Sequence, residues 1–197
     1  MNYRAGCALL LSLLLGLLGC SEKQSEQPQP LKEPADLSRV HGGSVPNAVA
    51  GITWLIPSGW TTLPPRQTRV ATYQVASADG LTEPAECGVF YFGSDKGGSV
   101  EANIERWVGQ FEGGGEPSRS SKEVNGLQVE LVQIGGAYLS PGGPMMQSQG
   151  KKDNFRLLGA IVSGPQGPVF FKLTGPEKTV RDAEKNFTAL INSLKKM

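Results

Sequence analysis

The sequence predicts an α+β fold in which a mainly antiparallel sheet of about six to seven strands is sandwiched by two helices. Three observations support it: short apolar segments separated by Gly- and Pro-rich turns, two amphipathic helical segments, and no regular alternation of strand and helix. With 197 residues, 26 of them glycine, the chain has room for one domain interrupted by many turns.

The first predicted strands lie between residues 51 and 92. Residues 51–56 are a short apolar segment that a Pro-Ser-Gly turn ends. Residues 69–75 alternate, which places Ala71, Tyr73 and Val75 on one face. Residues 86–92 are largely apolar on both faces, so we expect this strand in the middle of the sheet.

The first helix is predicted to start at Ser99, whose side chain can cap it, and Glu101 suits its positive N-terminal end. A Gly-rich segment at residues 113–115 ends it. One face carries large apolar side chains at helical spacing: Val100, Ile104, Trp107, Val108 and Phe111. This face must lie on the sheet.

The second half of the chain predicts two hairpins. Residues 118–124 and 127–134 flank an Asn125–Gly126 turn, and residues 155–162 and 169–173 flank a Gly-Pro-Gln-Gly turn. The element order is therefore three strands, a helix, four strands and a helix.

The C-terminal segment predicts the second helix. Thr174 is the expected cap and Pro176 lies in the permitted first turn. The apolar face consists of Val180, Ala183, Phe187, Leu190, Ile191 and Leu194, and charged residues occupy the opposite face.

The N-terminus has the pattern of a bacterial lipoprotein signal. Residues 1–19 combine one basic residue, Arg4, with an apolar segment too short to span a bilayer, and Gly19 precedes Cys20. This resembles the lipobox, which implies that a peptidase cleaves before Cys20 and that Cys20 is acylated. Ser21, which is not aspartate, favours the outer membrane facing the periplasm. An ordinary secreted protein with a free Cys20 thiol is the alternative.

Residues 20–49 are predicted to form a lipidated, disordered tether, because the segment is polar, Pro-rich and free of aromatic side chains. The acyl chains on Cys20 would then insert into the lipid bilayer and anchor the protein to the membrane. Residues 50–197 remain for a single globular domain.

The domain resembles the Mog1/PsbP-like α/β/α sandwich proteins. The resemblance rests on Trp54, Pro57 and Trp60 at three-residue spacing, a helix after the third strand, and a C-terminal helix entered through residues 171–176. More narrowly, it is similar to small bacterial lipoproteins of that shape. Family members such as photosystem extrinsic subunits and a Ran-GTPase partner imply an accessory or binding role. No functional residue of the family can be placed on this sequence.

Composition argues against several classes of function. Removing residues 1–19, which hold Arg4 and no acid, leaves 18 basic and 18 acidic residues, so nucleic-acid binding is not expected. The only histidine, His41, lies in the tether, and Cys87 is the only cysteine left in the domain, where we expect it to be buried. We therefore expect no metal, no cofactor and no catalytic residue.

Two groups of residues remain candidates for binding. The loop before the first helix offers a candidate anion site at Lys96, Gly97, Gly98 and Ser99, although its sequence departs from a P-loop and a plain capped loop is the alternative. Candidate partner contacts are Trp60, Tyr138, Met145 and Met146, because aromatic residues and methionine are enriched at interfaces.

The sequence thus favours a membrane-anchored, non-catalytic envelope domain that binds a protein partner or a small ligand. One alternative is a hydrolase that uses carboxylates and serines in a loop-lined cleft, which requires a partly buried Asp or Glu beside a concave pocket. A purely structural lipoprotein is the other. The sequence leaves the oligomeric state open.

Overall fold

A computed structural model describes residues 47–140 and 150–197. The predictions for Cys20, His41, Met145 and Met146 lie outside these residues. The described elements are β1 (Ala48–Val49), β2 (Ile52–Thr53), β3 (Trp60–Thr62), β4 (Ala71–Val75), β5 (Ala85–Tyr91), α1 (Val100–Val108), β6 (Phe111–Glu112), β7 (Ser118–Val124), β8 (Leu127–Leu139), β9 (Lys151–Gly164), β10 (Gly167–Pro176), α2 (Glu177–Asp182), α3 (Glu184–Asn192) and β11 (Lys195–Lys196).

Eight of these strands form one sheet in the order β3-β4-β5-β10-β9-β8-β6, with β7 also paired to β8. Every described pairing is antiparallel. The predicted fold class is confirmed, and β5 lies inside the sheet, between β4 and β10, as its two apolar faces predict. The sheet has eight strands and not the predicted six to seven, because it includes β3 and β6. These two strands are three and two residues long, which is too short for an alternating pattern to be recognised in the sequence.

Strands β1, β2 and β11 form a small second sheet that joins the start of the domain to its end. No helix in the described parts of the chain has the length and apolar character needed to cross a membrane.

The hairpin between β7 and β8 turns where the sequence predicts it. Asn125 and Gly126 have φ values of 49° and 76°, the two left-handed positions that a tight two-residue turn requires. Asn125 Nδ2 also donates a hydrogen bond to the carbonyl oxygen of Leu194 at 2.7 Å. The turn is thereby tied to the C-terminal segment.

One face of the large sheet packs against α2, α3 and the segment around Trp54. Cys87, Val89 and Phe171 are among the sheet residues in this core, and Phe187 and Leu190 are among the helix residues. The Trp54 indole N–H donates to the Tyr73 hydroxyl at 2.9 Å, which satisfies a polar group that burial would otherwise leave unpaired.

The other face packs against α1. Ile104 and Trp107 from the helix meet Val132, Leu157 and Phe170 from the sheet. Successive β-strand side chains alternate between faces, so Phe170 and Phe171 enter different cores. The predicted sandwich, with helices on both faces, is present.

Three details of the predicted helices are corrected. Helix α1 ends at Val108 with Gly109 as its C-cap, so Phe111 belongs to β6, although its side chain still packs in the α1 core. The C-terminal helix is divided into α2 and α3 at Ala183. Thr174 is not its cap, because β10 continues to Pro176, which occupies the N-cap position.

Candidate functional site

A groove of about 600 Å³ lies on the α1 side of the sheet, over β4, β5 and β10. None of its lining residues belongs to a helix, so it occupies a part of this face beyond the α1 contact. We call it the sheet groove; the lining residues that matter below are Arg66, Arg69, Glu86, Tyr138, Lys172 and Thr174.

An ion-pair cluster forms one side of the sheet groove. Glu86 accepts from Arg66 through Oε2, at 2.8 Å, and from Arg69 through Oε1. The Arg69 guanidinium carbon lies 5.4 Å from the centre of the Phe90 ring. A Cβ on Gly88 would come within 2.8 Å of that ring, so glycine is needed for Phe90 to lie close to the sheet surface.

Lys172 is the unusual cation of the sheet groove. Its half-buried side chain extends from β10, and Nζ donates to Gln110 Oε1 at 2.6 Å and lies 5.5 Å from the centre of the Tyr138 ring. No ion pair joins it to a carboxylate in the described part of the chain. Desolvation, together with the nearby charges of Arg69 and Arg106, lowers the pKa of Lys172 to about 8.

Aromatic side chains form the opposite side. The Tyr138 ring stacks on Phe155 with 5.8 Å between the ring centres and contacts Phe111 at 5.1 Å. Burial raises the pKa of the Tyr138 hydroxyl. Lys152 covers the outer side of Phe155, with Nζ 5.2 Å from the ring centre, and pairs with Glu83 at 2.7 Å.

A buried hydroxyl also lines the sheet groove. Thr174 Oγ1 has no hydrogen-bond partner in the part of the chain that the structure describes. Buried hydroxyl groups are normally hydrogen-bonded, so this one is an exception that needs an explanation.

The charges of the sheet groove do not cancel. Arg66, Arg69 and Lys172 face a single carboxylate, that of Glu86, whereas Lys152 and Glu83 balance each other. Cationic and aromatic side chains arranged in this way can hold an anionic group against an apolar surface.

No cysteine or histidine is among the described residues that line the sheet groove. Cys87 is fully buried on the opposite face, as the sequence predicts, and burial raises the pKa of its thiol well above 9.0, which disfavours the thiolate. No group of three or more His, Cys, Asp or Glu side chains in residues 47–140 and 150–197 could hold a metal ion.

The two described residues that were predicted as partner contacts, Trp60 and Tyr138, lie in different environments. Trp60 is only 8% exposed and packs in the core beside Tyr73, so the prediction of an exposed contact at Trp60 is corrected. Tyr138 lines the sheet groove, which makes it available to a ligand.

The loop of Lys96, Gly97, Gly98 and Ser99 serves as a helix cap. Ser99 Oγ accepts from the backbone N–H of Ala102 at 3.1 Å, and Asn103 donates to the Gly97 carbonyl at 2.6 Å. Lys96 is exposed beside a shallow pocket near the β9–β10 turn, so an anion site there stays a prediction.

Sequence reasoning missed Lys172, Arg69 and Glu86 as site residues. One signal was available: Lys172 is the only charged residue in the apolar run from Val169 to Leu173. Its proximity to Tyr138, which lies more than thirty residues earlier in the chain, arises because β10 and β8 lie on either side of β9 in the sheet. The hydrophobic periodicity of a single strand does not reveal the order of strands in a sheet.

The chain matches no family model and no curated protein. Two solved structures are similar to it in fold. A protein of unknown function from Pseudomonas aeruginosa has 10% identity and a TM-score of 0.43, covering 69% of this chain and 96% of its own. Cyanobacterial PsbP from Synechocystis has 13% identity and a TM-score of 0.46, covering 75% of this chain and 88% of its own.

A PsbP structure is therefore among the neighbours, as the resemblance of the sequence predicts. Both identities are very low and both TM-scores are below 0.5, so neither neighbour indicates what this chain binds.

Proposed function

We propose that this chain is an envelope lipoprotein whose domain binds a small ligand in the sheet groove without chemically changing it. The observation that carries the proposal is the sheet groove itself, a volume of about 600 Å³ lined by four cationic and two acidic side chains together with aromatic rings. Ligand pockets typically measure about 300–1,000 Å³ and hold a few converging polar groups.

The hydrolase alternative depends on Glu86. Its side chain is 34% exposed and borders a concave groove, so Glu86 is a partly buried carboxylate beside a pocket, which a hydrolase of this kind requires. Both carboxylate oxygens are nevertheless engaged by guanidinium groups, and accepting a proton would weaken two ion pairs. This arrangement favours a structural carboxylate that positions Arg66 and Arg69 over a general base.

The position at the membrane rests on the sequence. The lipobox-like segment before Cys20 and the polar, Pro-rich sequence of residues 21–46 support a domain held near the outer membrane by acyl chains. The predicted tether is shorter at its C-terminal end than expected, because Ala48 and Val49 form β1 of the domain. A ligand in the periplasm would be accessible to a domain held in this way.

The binding proposal is tested by obstructing the sheet groove. Gln74 is exposed and lines it, so Gln74→Trp fills part of its volume, whereas Gln128→Trp places the same side chain at an exposed position away from it. In a thermal-shift screen of small molecules, we expect compounds that stabilise the natural chain and Gln128→Trp but not Gln74→Trp. If no compound shows this difference, the sheet groove is not the binding site, and the result favours the alternative of a purely structural lipoprotein.

A further inference from the structure

The charge on Lys172 is energetically unfavourable in the isolated domain. Its ammonium is desolvated and bonded to a neutral amide, Gln110 Oε1, and two positively charged residues, Arg69 and Arg106, lower its pKa. A desolvated charge without a counter-charge is costly, and proteins normally pair such groups. A bound anion would supply the counter-charge that the described residues do not.

Arg69 places a second cationic group at the same location. Lys172 lies directly opposite Gly88 across β10 and β5, and the Arg69 guanidinium carbon would lie 3.6 Å from a Cβ built on Gly88, so both cations are next to the same position of the sheet. Arg69 also shares the Glu86 carboxylate with Arg66. One anionic group could therefore interact with Lys172 and Arg69 together. Guanidinium and ammonium groups form their strongest hydrogen bonds with carboxylate and phosphate oxygens.

The remaining lining limits how much negative charge the sheet groove accepts. Glu83 and Glu86 border it and would repel further anionic groups, while Phe90 and Tyr138 offer apolar surface. Thr174 adds a hydroxyl that has no hydrogen-bond partner among the described residues and that can donate or accept a hydrogen bond. The lining therefore suits one anionic group attached to an apolar body better than a highly acidic peptide.

We propose that the sheet groove binds a small molecule through one carboxylate or phosphate group, held by Lys172 and Arg69, with the apolar part against Tyr138 and Phe90. This inference rests on the proposed function, because it assigns a ligand class to the same site. Carboxylate and phosphate share the recognition chemistry, and the experiment below distinguishes them.

The test is calorimetric titration of the full, detergent-solubilised chain with benzoate, its neutral counterpart benzamide, and inorganic phosphate. We expect benzoate or phosphate to bind and benzamide not to bind. A lower Kd for benzoate than for phosphate identifies a carboxylate on an apolar body, whereas a lower Kd for phosphate, together with displacement of benzoate by phosphate, identifies a phosphate site. Absence of binding by both anions overturns the proposal.

Variants locate the site. Lys172→Met should weaken anion binding at least about tenfold, the loss of one charge-assisted contact, whereas Lys185→Met, at an exposed position on α3, should not change it. Thr174→Val keeps the side-chain shape and should weaken binding about threefold, which provides a second readout if Lys172→Met folds poorly. Binding that both groove variants leave unchanged overturns the proposal.

Two outcomes separate this inference from the proposed function. Neutral compounds that bind in a manner sensitive to Gln74→Trp would overturn the anion assignment and leave the ligand-binding function standing. If no compound of any charge is sensitive to Gln74→Trp, both fail. Tighter binding of an oligoglutamate peptide than of benzoate, lost in Lys172→Met, would overturn the small-molecule class in favour of an acidic protein segment.

Discussion

At the scale of single residues, Lys172 is the proposed binding group that we expect to reduce the stability of its own domain. Its pKa falls from the ordinary 10.5 to about 8, so between these values the unfolded chain binds more protons than the native one. The destabilisation is therefore full below about pH 8 and disappears as the pH rises towards 10.5.

This gives the first prediction. Lys172→Met should raise the free energy of unfolding at pH 7 by about 1–2 kcal/mol, after allowance for solvent screening, because it removes a desolvated charge. The gain over the natural chain should shrink between pH 8 and pH 10, as measured by urea unfolding at each pH. A variant less stable than the natural chain at pH 7 would show that the Lys172 ammonium is well compensated.

Cys87 gives the second prediction. Burial keeps its thiol protonated in the native state, while the unfolded thiol ionises near 9.0, so stability present below pH 9 is lost as the pH rises above it. In Cys87→Ala this alkaline loss between pH 9 and pH 10 should be absent, at a cost of about 1 kcal/mol for the smaller side chain. Burial raises the pKa of Tyr73 to about 12, so ionisation of Tyr73 in the unfolded chain lowers the stability only above pH 10.0, the ordinary pKa of tyrosine.

A thiol reagent supplies the independent check on Cys87. The native thiol is fully buried and should react only after unfolding in urea. Rapid labelling at Cys87 of the native chain, assigned by peptide mapping so that Cys7 and Cys20 do not contribute, would contradict the buried position of Cys87.

At the scale of elements, α1 is positioned by the contact between Trp107 and Gly159. A Cβ at Gly159 would lie 2.6 Å from the Trp107 ring and 2.8 Å from Val132. Gly159→Ala should therefore destabilise the domain by about 1–3 kcal/mol, because the ring must move away from the sheet.

A double-mutant cycle with Trp107→Leu checks this third prediction. The smaller side chain leaves room for the added methyl, so Gly159→Ala should cost less in the Trp107→Leu background, measured by urea unfolding. Equal costs in both backgrounds would mean that Trp107 does not determine the effect.

Local signals predicted the elements well wherever one residue type forces one geometry. The Asn125–Gly126 turn and the Ser99 cap are examples, because both depend on neighbouring residues alone. The predictions that were wrong involve competition between elements: Thr174 could cap a helix, but pairing with Glu86 and Leu157 keeps it in β10. Phe111 continues the helical spacing, yet it pairs with Tyr138 in the sheet.

The candidate site was harder to predict than the fold. Tyr138 was expected as a contact residue because of its type, whereas Lys172 and Arg69 become neighbours only through the antiparallel pairing of β4, β5 and β10. Arg69 also pairs with Glu86 across that sheet, and a charged residue beside an apolar strand is normally interpreted as solvent-exposed.

At the scale of the whole molecule, the proposed roles are divided between segments of the chain. The domain provides the sheet groove, and Cys20 is proposed to provide the membrane anchor. The fourth prediction is that Cys20→Ala moves the chain from the membrane fraction to the soluble fraction and abolishes labelling by a fatty acid. Unchanged labelling in Cys20→Ala would show that the anchor proposal is wrong, and Ser21→Ala is the control that should keep the label.

The central claim is that the sheet groove binds an anion through Lys172, and the most direct measurement is the protonation of that side chain. In protein labelled with ¹³C at the lysine Cε, the Lys172 signal is the one missing from Lys172→Met. We predict a titration near pH 8 in the free chain and a shift to higher pH when benzoate or phosphate is added, because a bound anion stabilises the ammonium. A Lys172 signal that titrates near the ordinary 10.5 and does not respond to either anion would contradict the account.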